Sequence, residues 1–166
     1  MGDVANTEPV ADRPITPEGY GVPETTEGTL PWAHVRTRMA EARNYWIATT
    51  RPDGRPHVVP AWGAWLDDVF YFDAPPGTRR QRNLAANTAV VVHLESGDNV
   101  VILEGVAVPL TAPDPAHFMR IADVYDAKYP YRPQDAEGMY TLRLHTAFAW
   151  TNFPMDATRW QFPRHD

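Results

Sequence analysis

The strongest chemical signal in the chain is the stretch from Tyr71 to Leu84, YFDAPPGTRRQRNL, in which a strand, a Pro-Gly turn and an arginine-rich helix start follow one another. Thr78 is a natural N-cap, and the backbone N–H groups of the first helical turn have no partner within the helix. Those groups, the positive end of the helix dipole, and Arg79, Arg80 and Arg82 can converge on one phosphate. Asn83 lies in the same helix, and Asp73 and Ala74 border the cradle on the strand side. Arginine at a helix start opposes the dipole, and an anion placed there removes the conflict. A solvated basic face is the alternative, and the residues alone leave both open.

A second signal is the run His57, Val58, Val59, Pro60, Ala61 and Trp62, entered through the turn Pro52-Asp53-Gly54. Proline cannot donate to a β-ladder, so it is confined to edges, bulges and corners. Either Pro60 marks no more than a corner, or backbone is left free there to border a flat ring. Other chemistries have less to draw on. With no cysteine there are no disulfides, thiolate metal sites or thiol nucleophiles, and the single serine and single lysine, Ser96 and Lys128, stand in no nucleophile motif. The six histidines show no metal-ligand spacing, so no metal is expected.

Stepping outward to what must position these groups, 43% hydrophobic and 22% charged residues are ordinary globular usage, and 166 residues suit one domain. A formal net charge of -6 excludes an extended basic surface, so neither nucleic acid nor an anionic membrane is an expected partner. No apolar run is long enough for a membrane helix, and the start Met1-Gly2-Asp3 lacks a secretory layout, which makes the cytoplasm the expected location.

Residues 1–28 are proline-rich and poor in bulky apolar side chains, and are expected to form a flexible N-terminal arm ahead of a domain over 29–166. The periodicity predicts helices over 31–43, 79–86 and 113–128. Strands are predicted over 44–50, 57–66, 69–73, 89–95, 100–110, 139–149 and 158–162, joined mostly by short turns.

The central sequence NYWIATTRPDGRPHVVPAWGAWLDDVFYFDAPPGTRRQRNLAANTAVVVHLESGDNVVILEG resembles that of the pyridoxamine 5′-phosphate oxidase-like FMN-binding split-barrel superfamily. More narrowly it is similar to the flavin/deazaflavin oxidoreductases common in actinobacteria. The likeness runs from Pro31 to Phe162, and its most specific pieces are Ala48 to Trp62, Arg79 to Asn87 and Ala157 to Phe162. It implies a mainly β (α+β) fold, a six-stranded antiparallel split β-barrel with a few peripheral helices, working as a homodimer with the coenzyme between subunits. In that family the phosphate is held where Thr78, Arg79 and Arg80 fall, and the ring is bordered by backbone from His57 to Trp62.

The departures are informative. Relatives often carry Ser or Thr where this chain has Asp73 and Ala74, and the glutamine and substrate-phosphate signature of true pyridoxamine phosphate oxidases are not evident around Val100. Vitamin B6 oxidation is therefore not the activity implied. The resemblance implies instead an oxidoreductase passing hydride between reduced deazaflavin coenzyme F-420 and a small organic acceptor. An FMN-binding oxidase or reductase is the alternative, and a non-catalytic flavin or haem carrier on the same barrel is another. No catalytic residue is assigned; the aromatic segment Tyr125 to Tyr131 of a partner subunit is a candidate wall for the pocket.

Overall fold

The computed structural model describes residues 8–163. In chain order the elements are β1 (Ala11–Asp12), α1 (Trp32–Glu41), β2 (Tyr45–Thr50), β3 (Pro56–Ala61), β4 (Gly63–Leu66), β5 (Val69–Asp73) and α2 (Arg79–Ala86). They continue with β6 (Ala89–His93), β7 (Val100–Pro109), α3 (Pro115–Lys128), β8 (Met139–Trp150) and β9 (Thr158–Gln161). All ladders are antiparallel, in the order β1-β9-β8-β7-β6-β2-β3, while β5 pairs with both β8 and β4.

The single strand expected over 57–66 is in fact two. β3 pairs with β2, whereas β4 crosses to β5, and the break falls at Trp62. The cause is steric. A Cβ on Gly63 would lie 2.5 Å from the Phe70 ring and 2.9 Å from the Tyr71 carbonyl oxygen, so only glycine lets the chain turn this closely over β5. The barrel is thus closed through the covalent chain between β3 and β4 instead of through a ladder, and β3 is an edge strand.

Alternation along β2, YWIATT, buries Tyr45, Ile47 and Thr49 and turns Trp46, Ala48 and Thr50 outward. The inner set joins Val92, Leu103, Phe70, Phe72 and Trp160 in the main core, which α1 covers with Trp32, Val35 and Met39. A second cluster lies on the other face of β4 and β5, where Ile121 and Tyr125 of α3 pack with Tyr129 on Ala64, Tyr71 and Met139. The helix opens two residues later than Pro113 suggested, because Asp114 caps it by accepting from the His117 N–H at 3.0 Å. Between β4 and β5 the hairpin places Asp67 and Asp68 at φ 52° and 62°, the left-handed pair a two-residue turn requires.

The arm differs most from expectation. Its residues 1–7 lie outside the described residues, but from residue 8 the segment is seated on the body. Ala11 and Asp12 pair with Trp160 and Arg159, and Arg13 is buried. The Arg13 guanidinium donates to the carbonyls of Thr25 (2.7 Å), Met155 (2.9 Å), Ala157 (3.0 Å) and Glu27. A segment too polar to form a core of its own is held because one cation satisfies four carbonyls at once.

Arg13→Met keeps the stem and removes the donors. It is expected to cost about 2–4 kcal/mol of stability, since buried carbonyls lose a charged partner. Denaturant unfolding measures the cost, and limited proteolysis should show cleavage between Arg13 and Gly28; a change below about 0.5 kcal/mol would show the clasp to be incidental.

Candidate functional site

The Pro75-Pro76-Gly77 turn, with Gly77 at φ +84°, leads into α2 at Thr78. The Thr78 hydroxyl accepts from the Gln81 N–H (3.2 Å) and donates to the Pro75 carbonyl (2.8 Å), so its first duty is to cap the helix. The arginines diverge. Arg79 is exposed, Arg82 folds back to donate to the Gly77 carbonyl at 2.7 Å, and Arg80 is partly buried and donates to the Asp73 carbonyl. A rim of Arg79, Arg80 and Arg82 is therefore not what the helix presents. Arg51, at the start of the Pro52-Asp53-Gly54 turn, takes the place of Arg82 beside His57.

His57 forms the inner side of this pole. Its Nδ1 lies 3.5 Å from the Thr49 hydroxyl, which in turn accepts from the Asn83 side-chain amide at 2.9 Å. With the Thr49 oxygen accepting from Asn83, its own proton can be given to Nδ1, an arrangement that would place the N–H of His57 on Nε2. Burial, then Arg51, Arg80 and Arg79, push the His57 pKa down, so the ring is neutral and the positive charge resides on the guanidinium groups. Two of those carry buried, unpartnered Nε atoms, on Arg51 and Arg80. A buried donor without an acceptor is costly, and an anion supplies the acceptor. One carboxylate competes, Asp53, held by Arg55 at 2.6 Å and kept below its usual range by that bond.

Five residues along the strand, about 16 Å at an ordinary rise, stands an aromatic pole. Trp62 stacks on Tyr129 with centroids 4.7 Å apart and planes 13° from parallel, and Tyr131 lies 6.4 Å away. The Tyr129 hydroxyl donates to the carbonyls of Arg43 (2.8 Å) or Gly63 (3.0 Å) and accepts from the Gly63 N–H (3.1 Å), fixing the ring that supports Trp62. Trp62 itself is 42% exposed and Val58 49%, unusual for such residues without something laid against them. A recess of about 280 Å³ lined by Asn44, Pro60, Ala61 and Trp62 adjoins the stack.

Asp73 lies between the poles. It ends β5, two residues after Tyr71 and so on the same face, the one packed against α3. Burial pushes its carboxyl up to about 6, although Arg80 and the nearby Tyr125 hydroxyl pull the other way.

Of the residues singled out from sequence, His57, Val59 and Ala61 turn toward the barrel, while Val58, Pro60 and Trp62 face outward along the same strand. Thr78, Arg79 and Arg80 gather at one end. Ala74 and Asn83 do not reach the surface: Ala74 is fully buried and donates its N–H to the Gly138 carbonyl (2.8 Å), and Asn83 acts through Thr49. Thr49 and Arg51 were not anticipated as site residues, and only the arginine in Arg-Pro-Asp-Gly offered a local hint; Tyr129, expected as part of a partner subunit's wall, stacks on Trp62 within the same chain.

A family model described as pyridoxamine 5′-phosphate oxidase matches residues 32–150. No curated protein matches the sequence. Among solved structures the chain is similar to a heme binding protein from Mycobacterium smegmatis, at 17% identity over 84% of this chain and 59% of that one, TM-score 0.65. It thus spans about six-tenths of that protein's length. It is similar to a conserved hypothetical protein from Mycobacterium tuberculosis at 19% identity, 86% and 94% coverage and TM-score 0.60. An F420 reductase aligns at 26% identity, 80% and 98% coverage and TM-score 0.49. The first two likenesses establish the split-barrel fold.

The Asp73 shift carries a stability consequence. A carboxyl whose folded pKa exceeds its unfolded value binds its proton more tightly when folded. Its contribution is complete below the model-peptide value near 3.8 and is lost as pH rises through about 6. Asp73→Asn, neutral at every pH, is therefore expected to be more stable than the parent at pH 8 by about 1–3 kcal/mol and equal to it near pH 3.5. Urea unfolding at the two pH values checks this; a less stable variant at pH 8 contradicts it.

Proposed function

The chain belongs to the pyridoxamine 5′-phosphate oxidase family, and from that premise we propose that it is an oxidoreductase binding the deazaflavin coenzyme F-420 along β3. The observation that carries the reading is the pairing of two poles on one edge strand: unpartnered buried guanidinium nitrogens of Arg51 and Arg80 at one end, exposed Trp62 on its stacked support at the other. Arg51, Arg79, Arg80 and the Nε2–H of His57 would hold the phosphate. The β3 backbone and Trp62 would border the ring. When bound, the coenzyme supplies hydride chemistry, and the protein's tasks reduce to orienting it and keeping water away. Its acceptor is a small organic molecule.

Asp53 favours this coenzyme over FMN. A terminal phosphate dianion meets an ionised carboxylate near its donors, whereas the phosphodiester of the deazaflavin carries less charge. FMN is the second reading, and a flavin or haem carrier the third. The same reading places a second copy of the chain across the groove as a homodimer. Its support is an outward row running across the sheet through Trp46, His93, Ile102 and Phe148, apolar for a face without a covering layer. Among the described residues no helix is long and apolar enough to cross a membrane.

An absorbance spectrum of purified protein, followed by fluorescence titration with F-420 and FMN at one ionic strength, separates the readings; FMN binding tenfold tighter, about 1.4 kcal/mol, sinks the deazaflavin assignment. Arg51→Ala and the double change Arg79→Ala/Arg80→Ala are each expected to weaken coenzyme binding, the double by about 2–5 kcal/mol. Arg82→Ala should leave it within about 0.5 kcal/mol, because that side chain is already spent on Gly77. Equal losses at Arg82 and Arg80 would return the helix start to a merely basic surface. Sedimentation of the coenzyme complex as a monomer would remove the dimer from the reading.

A further inference from the structure

Reduction of a polarised double bond needs more than hydride. The hydride, two electrons and one proton from the reduced coenzyme, forms a C–H bond at the electrophilic carbon; the π pair then moves to the far atom, which must take a second proton. On the reading above, we propose that Asp73 is the catalytic residue that delivers this second proton, to an acceptor of the enone or quinone class held at Trp62 and Tyr131. Its carboxyl O–H bond breaks as the acceptor's O–H or C–H bond forms, and the carboxylate recovers a proton from water. The proposal rests on the coenzyme reading and goes beyond it by naming an acid.

The placement comes from the register. Asp73 ends β5 one step beyond the Gly63↔Phe72 pair and lies within electrostatic reach of Tyr131, whose ring is 6.4 Å from that of Trp62. It is partly exposed, so a molecule against Trp62 can reach it. The groups that face it are few. Arg80 approaches from α2, the Tyr125 hydroxyl lies nearby on α3 while donating to the Tyr71 carbonyl at 3.5 Å, and Tyr131 lies within electrostatic reach from the loop that follows, with Asp135 beyond it. On β8 its register partner is Met139, which has no charge, and two residues back on β5 Tyr71 is occupied by His117 at 2.9 Å.

Arg80 links the acid to the coenzyme. It is the one nearby cation lowering the Asp73 pKa, and it is among the donors assigned to the phosphate. An anion bound at Arg80 offsets the charge that favours ionised Asp73, so seating the coenzyme raises the pKa of the acid and the fraction that carries a proton.

Two measurements test the assignment. Carboxyl-carbon NMR on protein labelled at aspartate, with the Asp73 resonance identified by its loss in Asp73→Asn, should give a midpoint near 6 that rises by at least half a unit with saturating inorganic phosphate. With reduced coenzyme and menadione as acceptor, kcat should fall as pH rises through the coenzyme-bound midpoint. Asp73→Asn should lose at least tenfold in kcat together with that limb, without weaker coenzyme binding, and Asp73→Glu should restore the limb. An unchanged pH profile in Asp73→Asn, or a midpoint indifferent to phosphate, overturns the proposal while the coenzyme reading stands. Failure of the parent protein to bind either coenzyme overturns both. Should Asp73→Asn misfold, Asp73→Glu, which also removes the aspartate resonance, identifies it, and the midpoint and its response to phosphate in the parent then decide.

Discussion

Gly63 packed onto the Phe70 ring is the contact on which the remaining architecture depends. Because the chain can pass so close to β5, the strand that begins at Pro56 leaves β2 at Trp62 and enlists with β5 as β4. The barrel is closed by this change of partner, and β3 keeps one edge without a ladder. An edge strand ordinarily invites unwanted pairing. Here that edge lies between a cationic end and an aromatic end, and Pro60 lacks the donor a foreign strand would need.

The polar groups around this edge form one connected system. Asn83 from α2 bonds the Thr49 hydroxyl on β2, which meets His57 on β3, so three elements position one imidazole. Arg80 spans from the cationic pole beside His57 to the backbone of Asp73 at the end of β5.

What could be read from sequence was what is local. The Pro-Asp-Gly turn, the Pro-Gly entry to α2, the Thr78 cap and the strand at β2 each depend on residues within a few positions, and the structure has them where expected. The aim of individual arginines was not local. Arg82 and Arg51 exchanged roles because one finds a carbonyl within its own turn while the other is directed by pairing across β2 and β3. Tyr129 supports Trp62 from 67 positions away, and Asn83 reaches Thr49 across 34, distances over which spacing in the sequence carries no signal. The arm was misjudged for the same reason: its composition cannot make a core, but Arg13 reaches carbonyls more than 140 positions away.

That last contact orders the assembly of the molecule in time. β1 has no strand to pair with, and two of the four Arg13 acceptors do not exist, until the final segment from Met155 to Gln161 has been made. During synthesis the first described residues wait for β9, so β1 and Arg13 are locked in place only after the strands before it have been made. The barrel's ladders from β2 to β8 need no such wait, and the arm closes over a body already built.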